Sequence, residues 1–412
     1  MTDTLLLTGI GRLVTMAANQ TVADGTRLDV ELIARDGRIA WIGPAGQGRA
    51  QIQAEEIFEA LDCGGRAVLP GMVDAHTHLV FGGDRAAEFA LRSSGVSYET
   101  ISEQGGGIRS TVRATRAADP EALVEAARPR LDTMLSRGVT TVEIKSGYGL
   151  DVETELKMLR VARRLGETHA MNVVTTFLGA HTIPPEFAGN ADGYVDLVVN
   201  EMIPAVAEEG LATFCDVFCE TVAFSVAQTR RVLEAGIAHG LIPKLHSEQL
   251  HRTGGTALGA ELGAASVDHL EFANEADIRA LADSGQTTAV LLPGATLYLG
   301  LNDWAPARAL LDAGVTVALS TDCNPGSCMC DDLPLMTTLA CTRLGMSPHE
   351  ALRAVTSGGA AALNLEAERG RAEEGLIADL QVLDCKDEVQ LPYRFGRIPP
   401  YAVIAQGKIV IG

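Results

Sequence analysis

Apolar positions along the 412-residue chain fall into two textures. At both ends, short alternating runs are separated by turn signals. Near the start these are Thr4-Leu5-Leu6-Leu7, Val30-Glu31-Leu32-Ile33-Ala34 and Ile39-Ala40-Trp41-Ile42-Gly43, with Asp36-Gly37 between the last two. Near the finish they are Ala378-Asp379-Leu380-Gln381-Val382-Leu383, Ala402-Val403-Ile404-Ala405 and Gly407-Lys408-Ile409-Val410. Such runs punctuated by Gly and Asp-Gly predict strands and hairpins. Neither end is large enough to bury a core alone, so residues 1–66 and 375–412 are expected to combine into one small β-sandwich.

Residues 67–374 change pattern: short apolar strands alternate with helical stretches, the signature of parallel βα units. Eight candidate strands are Val68–His78, Thr140–Lys145, Asn172–His181, Thr213–Glu220, Pro243–Gln249, Ser266–Glu271, Thr287–Pro293 and Thr316–Asp322. Helices are predicted between them over Pro120–Arg137, Val152–Thr168 and Val226–His239, and after the last strand over Pro334–Leu344 and Pro348–Asn364. Eight such units closing on themselves give an α/β fold, a (β/α)8 TIM-type barrel carrying the terminal β-sandwich.

In that fold, reactive groups gather at the C-terminal ends of the strands. The first strand runs into His76-Thr77-His78, and residues two apart on a strand point to one side. Alone, the pair reads equally well as two solvent-facing loop histidines. The other strand ends decide the matter: Lys145 and then Tyr148 after the second, His181 after the third, Glu220 after the fourth, His246 and Gln249 on the fifth, His269 on the sixth and Asp322 on the eighth. Five of the 9 histidines thus share one predicted face. Two histidines from one strand, a third across the barrel and an aspartate opposite suit one divalent ion, zinc or iron. His169 and His239 sit at helix ends, and His251 and His349 receive no role. Asp322 also admits a purely structural ion pair. Arg85, just past the first strand, can clamp a carboxylate with its fork or pair on the surface with Asp84 or Glu88. Lys145 reads as structural or as the partner of Glu143. Gly105-Gly106-Gly107 follows no strand and opens no nucleotide motif, so a mobile loop over the barrel mouth is expected there.

Composition narrows the partners. Hydrophobic residues make up 47% and charged ones 21%, as in an ordinary globular enzyme. A net charge of −20 argues against nucleic acid and against an acidic membrane surface, yet one local arginine still suits a small anionic substrate. Met1–Met16 lacks the features of a signal peptide. Ala289–Leu301, broken by Pro293 and Gly294, is too short to span a bilayer. A cytoplasmic location is expected, with the 8 cysteines as free thiols; the Cys328-x-Cys330 and Cys215-x-x-x-Cys219 spacings lack zinc-knuckle form.

Pro70-Gly71-Met72-Val73-Asp74-Ala75-His76-Thr77-His78, with His246, His269 and Asp322 downstream, resembles the amidohydrolase superfamily. More narrowly, His76-Thr77-His78-Leu79-Val80-Phe81-Gly82-Gly83, Gly105-Gly106-Gly107-Ile108, Glu143-Ile144-Lys145-Ser146-Gly147-Tyr148-Gly149-Leu150, Phe177-Leu178-Gly179-Ala180-His181 and Ser320-Thr321-Asp322-Cys323-Asn324-Pro325-Gly326-Ser327 are similar to the imidazolonepropionase family. The resemblance runs from about residue 60 into the C-terminal β segment. It implies hydrolysis of the ring amide of 4-imidazolone-5-propanoate to N-formimidoyl-L-glutamate, in histidine breakdown. By the same resemblance the metal ligands are His76, His78, His246 and Asp322, and the substrate contacts are Arg85, Tyr148, His181, Gln249, Asn324, Gly326 and Ser327. Two-metal relatives carry a lysine or glutamate on the fourth strand. Here only Glu220 could serve, and one metal is the expectation. A homodimer is expected by analogy with such barrels.

A metal lowers the pKa of bound water from ~15.7 to ~7, which at ~1.36 kcal/mol per unit is worth roughly 12 kcal/mol. No side chain matches that. The expected roles are therefore water activated by the metal, oriented by Asp322 and His269; His181 as a donor to the developing oxyanion; and Asp322 as the proton carrier to the departing ring nitrogen. Gln249, an amide, cannot act as a base. Two alternatives share parts of this pattern. A related deaminase or cyclic-imide hydrolase would keep the metal set but not Arg85, Tyr148 and His181 together, and a non-catalytic barrel scaffold would have lost metal ligands.

Overall fold

A computed structural model describes residues 4–17, 25–54, 56–95, 106–396 and 398–412. In chain order, the N-terminal strands are β1 (Thr4–Val14), β2 (Thr26–Arg35), β3 (Arg38–Pro44), β4 (Phe58–Asp62) and β5 (Ala67–Pro70). The next eight are β6 (Met72–Asp74), β7 (Val139–Lys145), β8 (Asn172–Ala180), β9 (Phe214–Cys219), β10 (Ile242–Ser247), β11 (Ser266–His269), β12 (Thr288–Leu291) and β13 (Val317–Leu319). The chain finishes with β14 (Leu380–Leu383), β15 (Pro400–Ala405) and β16 (Lys408–Ile411).

Strands β6 to β13 form one parallel sheet in sequence order, each beside the next. Backbone beyond the strand ends closes it. Thr77 bridges Cys323 in parallel, Asp322 N–H donates to His76 O at 3.1 Å, and His78 N–H donates to Cys323 O at 3.0 Å. All eight expected barrel strands are present. Helices cover the outside where the periodicity placed them, over Pro120–Leu135, Val152–Thr168, Val226–Ala238 and Leu333–Arg343. Side-chain caps set their starts: Asp119 and Asp151 accept from the third residue of their helices, and Ser225 forms a reciprocal capping box with Gln228.

The chain ends meet in one continuous mixed sheet, ordered β16-β15-β14-β5-β1-β2-β3, with β4 beside β1. Leu5, Leu7 and Leu32 from the first arm pack with Leu380, Val382 and Ile404 from the last. The Asp36-Gly37 signal is the two-residue turn between β2 and β3, with φ of 50° and 80° at its two positions.

Two expected elements are split. The strand predicted over Val68–His78 divides at Gly71: β5 pairs with β1 and β14 of the terminal sheet, and only β6 belongs to the barrel. Glycine is required at the crossing because a Cβ on Gly71 would lie 2.2 Å from Thr140 Oγ1. The helix predicted over Pro348–Asn364 divides into Pro348–Ala354 and Ser357–Ala362. The break frees Val355 O to accept from Val73 N–H at 2.8 Å, and Gly359 then lies against Val73 O, where a Cβ would approach to 2.5 Å.

Side chains secure the barrel seam as well. Asp74, fully buried, accepts from Thr321 N–H at 3.1 Å and Thr321 Oγ1 at 2.7 Å, while Ser320 Oγ takes Ala75 N–H at 2.9 Å. Burial pushes the Asp74 carboxyl up to about 7, against the hydrogen bonds from Thr321. Asp74→Ala leaves both Thr321 donors without this acceptor and is expected to cost about 2–4 kcal/mol in urea-induced unfolding, with Asp74→Asn costing about 1 kcal/mol.

Candidate metal centre and active site

His76 and His78 lie just past β6, in the stretch whose backbone pairs with the Asp322-Cys323 segment. His246 is on β10, His269 ends β11, and Asp322 follows β13. Two of these positions carry positive φ, 84° at His269 and 53° at Asp322. For non-glycine residues that conformation costs of order 1–3 kcal/mol each. At Asp322 the barrel seam holds it, through the bond from its N–H to His76 O.

The five side chains converge. Asp322 Oδ1 is 3.5 Å from Nε2 of both His76 and His78, and His78 Nε2 is 3.4 Å from His246 Nε2. Ligand atoms of His76, His78 and Asp322 lie within 4.8 Å of one another, and so do those of His76, His246 and His269. Carboxylates fix two tautomers. His76 Nδ1–H donates to Asp268 at 2.6 Å and His246 Nδ1–H to Asp216 at 3.0 Å, so both Nε2 atoms present lone pairs. His76 Nε2 is buried with no hydrogen-bond partner. Several acceptors facing one another in a buried space fit a divalent cation between them, and the N/O donor set suits zinc or iron. Burial, with neighbouring cationic groups, drives His76 and His78 well below the ordinary histidine range, and neutral rings are what ligation requires.

Asp322 is pushed up to about 6, chiefly by burial. At His269 burial works in the opposite sense, but the close approach of the Glu271 carboxylate first, and then the charges of Asp322 and Asp268, outweigh it and hold the ring above its ordinary value. Glu271 is 3.7 Å from His269 Nδ1, an ion-pair distance rather than a hydrogen bond.

Tyr148 and His181 lie beside the cluster, and Asn324 and Ser327 beside Asp322. His181 stacks on His78, with centroids 5.0 Å apart, and Tyr148 lies 5.4 Å from His181 and 5.9 Å from His78. Glu155 accepts from the N–H groups of Gly147, Gly149 and Leu150 and so shapes the loop that carries Tyr148. Asn324 organises the opposite turn: its Nδ2 donates to Asp322 O at 2.7 Å, and its Oδ1 accepts from the N–H groups of Gly326 and Ser327 at 2.8 Å. Arg85 is ion-paired, Nε to Glu88 at 2.7 Å, as one of its two sequence readings held. Its Nη1 nonetheless lies against Gly326, where a Cβ would come to 2.2 Å. Gln249 is half-buried, on a loop pinned on one side by Glu248 through Thr253, Gly254 and Thr256 and on the other by Glu220.

One expectation changes, and one alternative loses its support. His181 Nδ1 lies 3.0 Å from Gly147 O, which can only accept, so the proton sits on Nδ1. Burial takes this ring down to about 3. A neutral ring with Nδ1–H offers Nε2 as an acceptor, which does not suit the expected oxyanion donor. Glu220, the alternative second-metal ligand, spends its carboxylate on the N–H groups of Thr221, Leu250 and His251, and it belongs to neither ligand group among the described residues. The reading of Gly105 as part of a mobile loop lies outside the described residues. Gly106 and Gly107 precede the helix Ile108–Ala117, and Gly107 N–H donates to Glu88 at 3.0 Å.

Sequence reasoning missed Asp216, Asp268 and Glu271. All three sit on or beside strands that already carry a histidine or glutamate, and an acidic residue on an otherwise apolar strand was the available signal.

Barrel, strand-end ligands and their carboxylate supports define a metal-dependent amidohydrolase, and residues 98–411 match the Amidohydrolase family. Solved structures with the same fold include an adenosine deaminase from Xanthomonas campestris with bound zinc (TM-score 0.73, 21% identity, 99% of this chain and 93% of that one). A 5-methylcytosine deaminase from Klebsiella pneumoniae is another (TM-score 0.73, 18% identity, 98% of each). Sequence relatives are much nearer. The chain is 48% identical over 400 residues to an imidazolonepropionase of Shewanella baltica strain OS185, covering 97% of each. It is 50% identical over 381 residues to one of Cupriavidus pinatubonensis strain JMP 134, covering 92% of this chain and 89% of the relative. The chain belongs to the imidazolonepropionase family and is a hydrolase.

Gly147 has φ of 106°, and a Cβ there would lie 2.9 Å from His181 Nδ1. Gly147→Ala is expected to displace His181 and Tyr148, lowering kcat/KM at least about tenfold for a misplacement of this size while bound metal, measured by elemental analysis, stays at the wild-type level.

Proposed function

We propose that this chain hydrolyses the ring amide C–N bond of 4-imidazolone-5-propanoate to N-formimidoyl-L-glutamate, as a cytoplasmic enzyme of histidine degradation. One observation carries the reading. Arg85 Nη1 lies against Gly326 in the same Asn324–Ser327 turn whose Asn324 Nδ2 donates to Asp322 O, so a carboxylate clamp and the ligand cluster stand side by side. A substrate with a propanoate arm and a cyclic amide fits that pair of features.

His76, His78, His246 and Asp322 would hold one divalent ion, with His269 beside them. Such an ion acidifies water and polarises a carbonyl oxygen when bound. Asp322 takes the proton that water loses as its oxygen bonds to the ring carbonyl carbon. It delivers the proton to the ring nitrogen as the C–N bond breaks, which leaves Asp322 ionised for the next turnover. His269 orients the water, and His181 Nε2 accepts an N–H of the substrate ring. Tyr148, whose phenol burial keeps protonated, donates a hydrogen bond to the substrate. Arg85 binds the propanoate through the guanidinium nitrogens that Glu88 does not occupy.

Protein purified without chelator is expected to carry one zinc or iron per chain and to turn over 4-imidazolone-5-propanoate. Failure on that substrate, with activity on an aminopurine or a cyclic imide, would replace this reading with that of a related deaminase or imidase. Asp322→Asn should abolish turnover; a variant keeping most of its kcat removes Asp322 from the proton path. Arg85→Ala is expected to raise KM by about 10- to 100-fold, the loss of a charge-assisted pair worth about 1.5–3 kcal/mol, with a smaller effect on kcat. An unchanged KM means that the carboxylate binds elsewhere.

A further inference from the structure

Beneath the histidines, five charged side chains sit in the barrel interior with no solvent exposure: Glu143 and Lys145 on β7, Asp216 on β9, Lys244 on β10 and Asp268 on β11. Burying so many ionised groups is expensive unless each is paired. The pairings are unequal. Lys244 donates to the carbonyl of Ala75 at 3.1 Å and meets Glu143 at 3.1 Å. Lys145 Nζ lies 2.7 Å from Asp216 Oδ2, 2.9 Å from Glu143 Oε2 and 3.6 Å from Asp268 Oδ2. It therefore stands between the two carboxylates that hold His246 and His76.

Each of those carboxylates divides its oxygens. Asp216 gives Oδ2 to Lys145, and its Oδ1 accepts the Nδ1–H of His246 together with the His246 backbone N–H at 3.2 Å. Asp268 accepts Ser266 Oγ–H at Oδ1 and His76 Nδ1–H at Oδ2, the oxygen that faces Lys145. A carboxylate acts only as an acceptor here, so it fixes the hydrogen of each ring on Nδ1 and turns Nε2 toward the ligand cluster. His76 Nε2, buried without a hydrogen-bond partner, is the visible result.

We propose that Lys145 is a positioning residue for the metal: a single buried ammonium that aligns Asp216 and Asp268, and through them two histidines from strands on different sides of the barrel. Loss of the ammonium removes the one contact the two carboxylates share and loosens the hold each has on its ring. It touches neither the ligands nor the substrate space, so its effect is read in how tightly and in what geometry the ion is held.

The test uses full-length protein loaded with cobalt(II) as a spectroscopic substitute. Lys145→Met is expected to weaken metal binding about 10- to 100-fold in chelator competition, the usual cost of losing an outer-shell partner, and to alter the visible cobalt bands. Arg369→Met, which breaks the buried pair with Asp379 outside the barrel, controls for lost stability. It should lower the melting temperature of the apoprotein while leaving metal affinity and spectrum as in the wild type. Where Lys145→Met does not fold, Lys145→Arg retains the charge with donors differently placed, and it too should weaken metal binding and change the bands. Wild-type affinity and spectrum in the folded Lys145 variant overturns the proposal, as does an equal loss of affinity in Arg369→Met.

Discussion

The seam between the first and eighth barrel strands is the constraint on which the molecule depends. Its backbone bonds, from His78 N–H to Cys323 O and from Asp322 N–H to His76 O, involve the residues whose side chains form the ligand cluster. Strand β6 has three residues and β13 has three. The closing contact is therefore made largely beyond the regular strands, by backbone that Asp74, Ser320 and Thr321 brace from within. Closing the fold and placing three of the expected ligands are one act.

Below the seam lies a second requirement, the neutralisation of charge in a place water does not reach. Two lysines face three carboxylates among fully buried side chains. Removing one partner from such a set typically costs about 3–5 kcal/mol, because the remaining charge keeps its desolvation penalty. An apolar core of the same volume would be easier to stabilise. What the charged one supplies is orientation, since two of its carboxylates each hold a histidine ring by Nδ1. Strain at His269 and Asp322 belongs to the same arrangement, with unfavourable backbone angles held by the surrounding bonds.

Much of this was legible in the chain. Short apolar runs located all eight barrel strands, because buried parallel strands are written in consecutive Val, Ile, Leu and Ala, and alternating runs located the terminal sheet. The spacing of His76 and His78 and the strand-end positions of His181, His246, His269 and Asp322 gave the cluster. What could not be read was geometry at single residues. Gly71 gives no local sign that it divides one apolar run between two sheets, since the reason is the Thr140 side chain, far away in sequence. Val355 interrupts a good helix because Val73 needs its carbonyl. The tautomer of His181 depends on the Gly147 carbonyl, a contact between the ends of neighbouring strands but 34 residues apart in the chain, and so its hydrogen-bonding sense was expected the wrong way round. Glu220 and Lys145 both had open readings, and only the partners of their charged groups separated them.

The junction at Gly71 has a further consequence. Strand β5 of the terminal sheet and β6 of the barrel are consecutive, with one residue between them, and Gly71 N–H is bonded to Asp379 O on the returning arm. A chain that passes from one layer to the next without a linker has no hinge there. In many two-part enzymes, ligands enter as the parts swing open. This junction ties the two layers directly to one another, and the strand-end loops braced by Glu155, Asn324, Glu248 and Glu220 form the rim of the mouth above them.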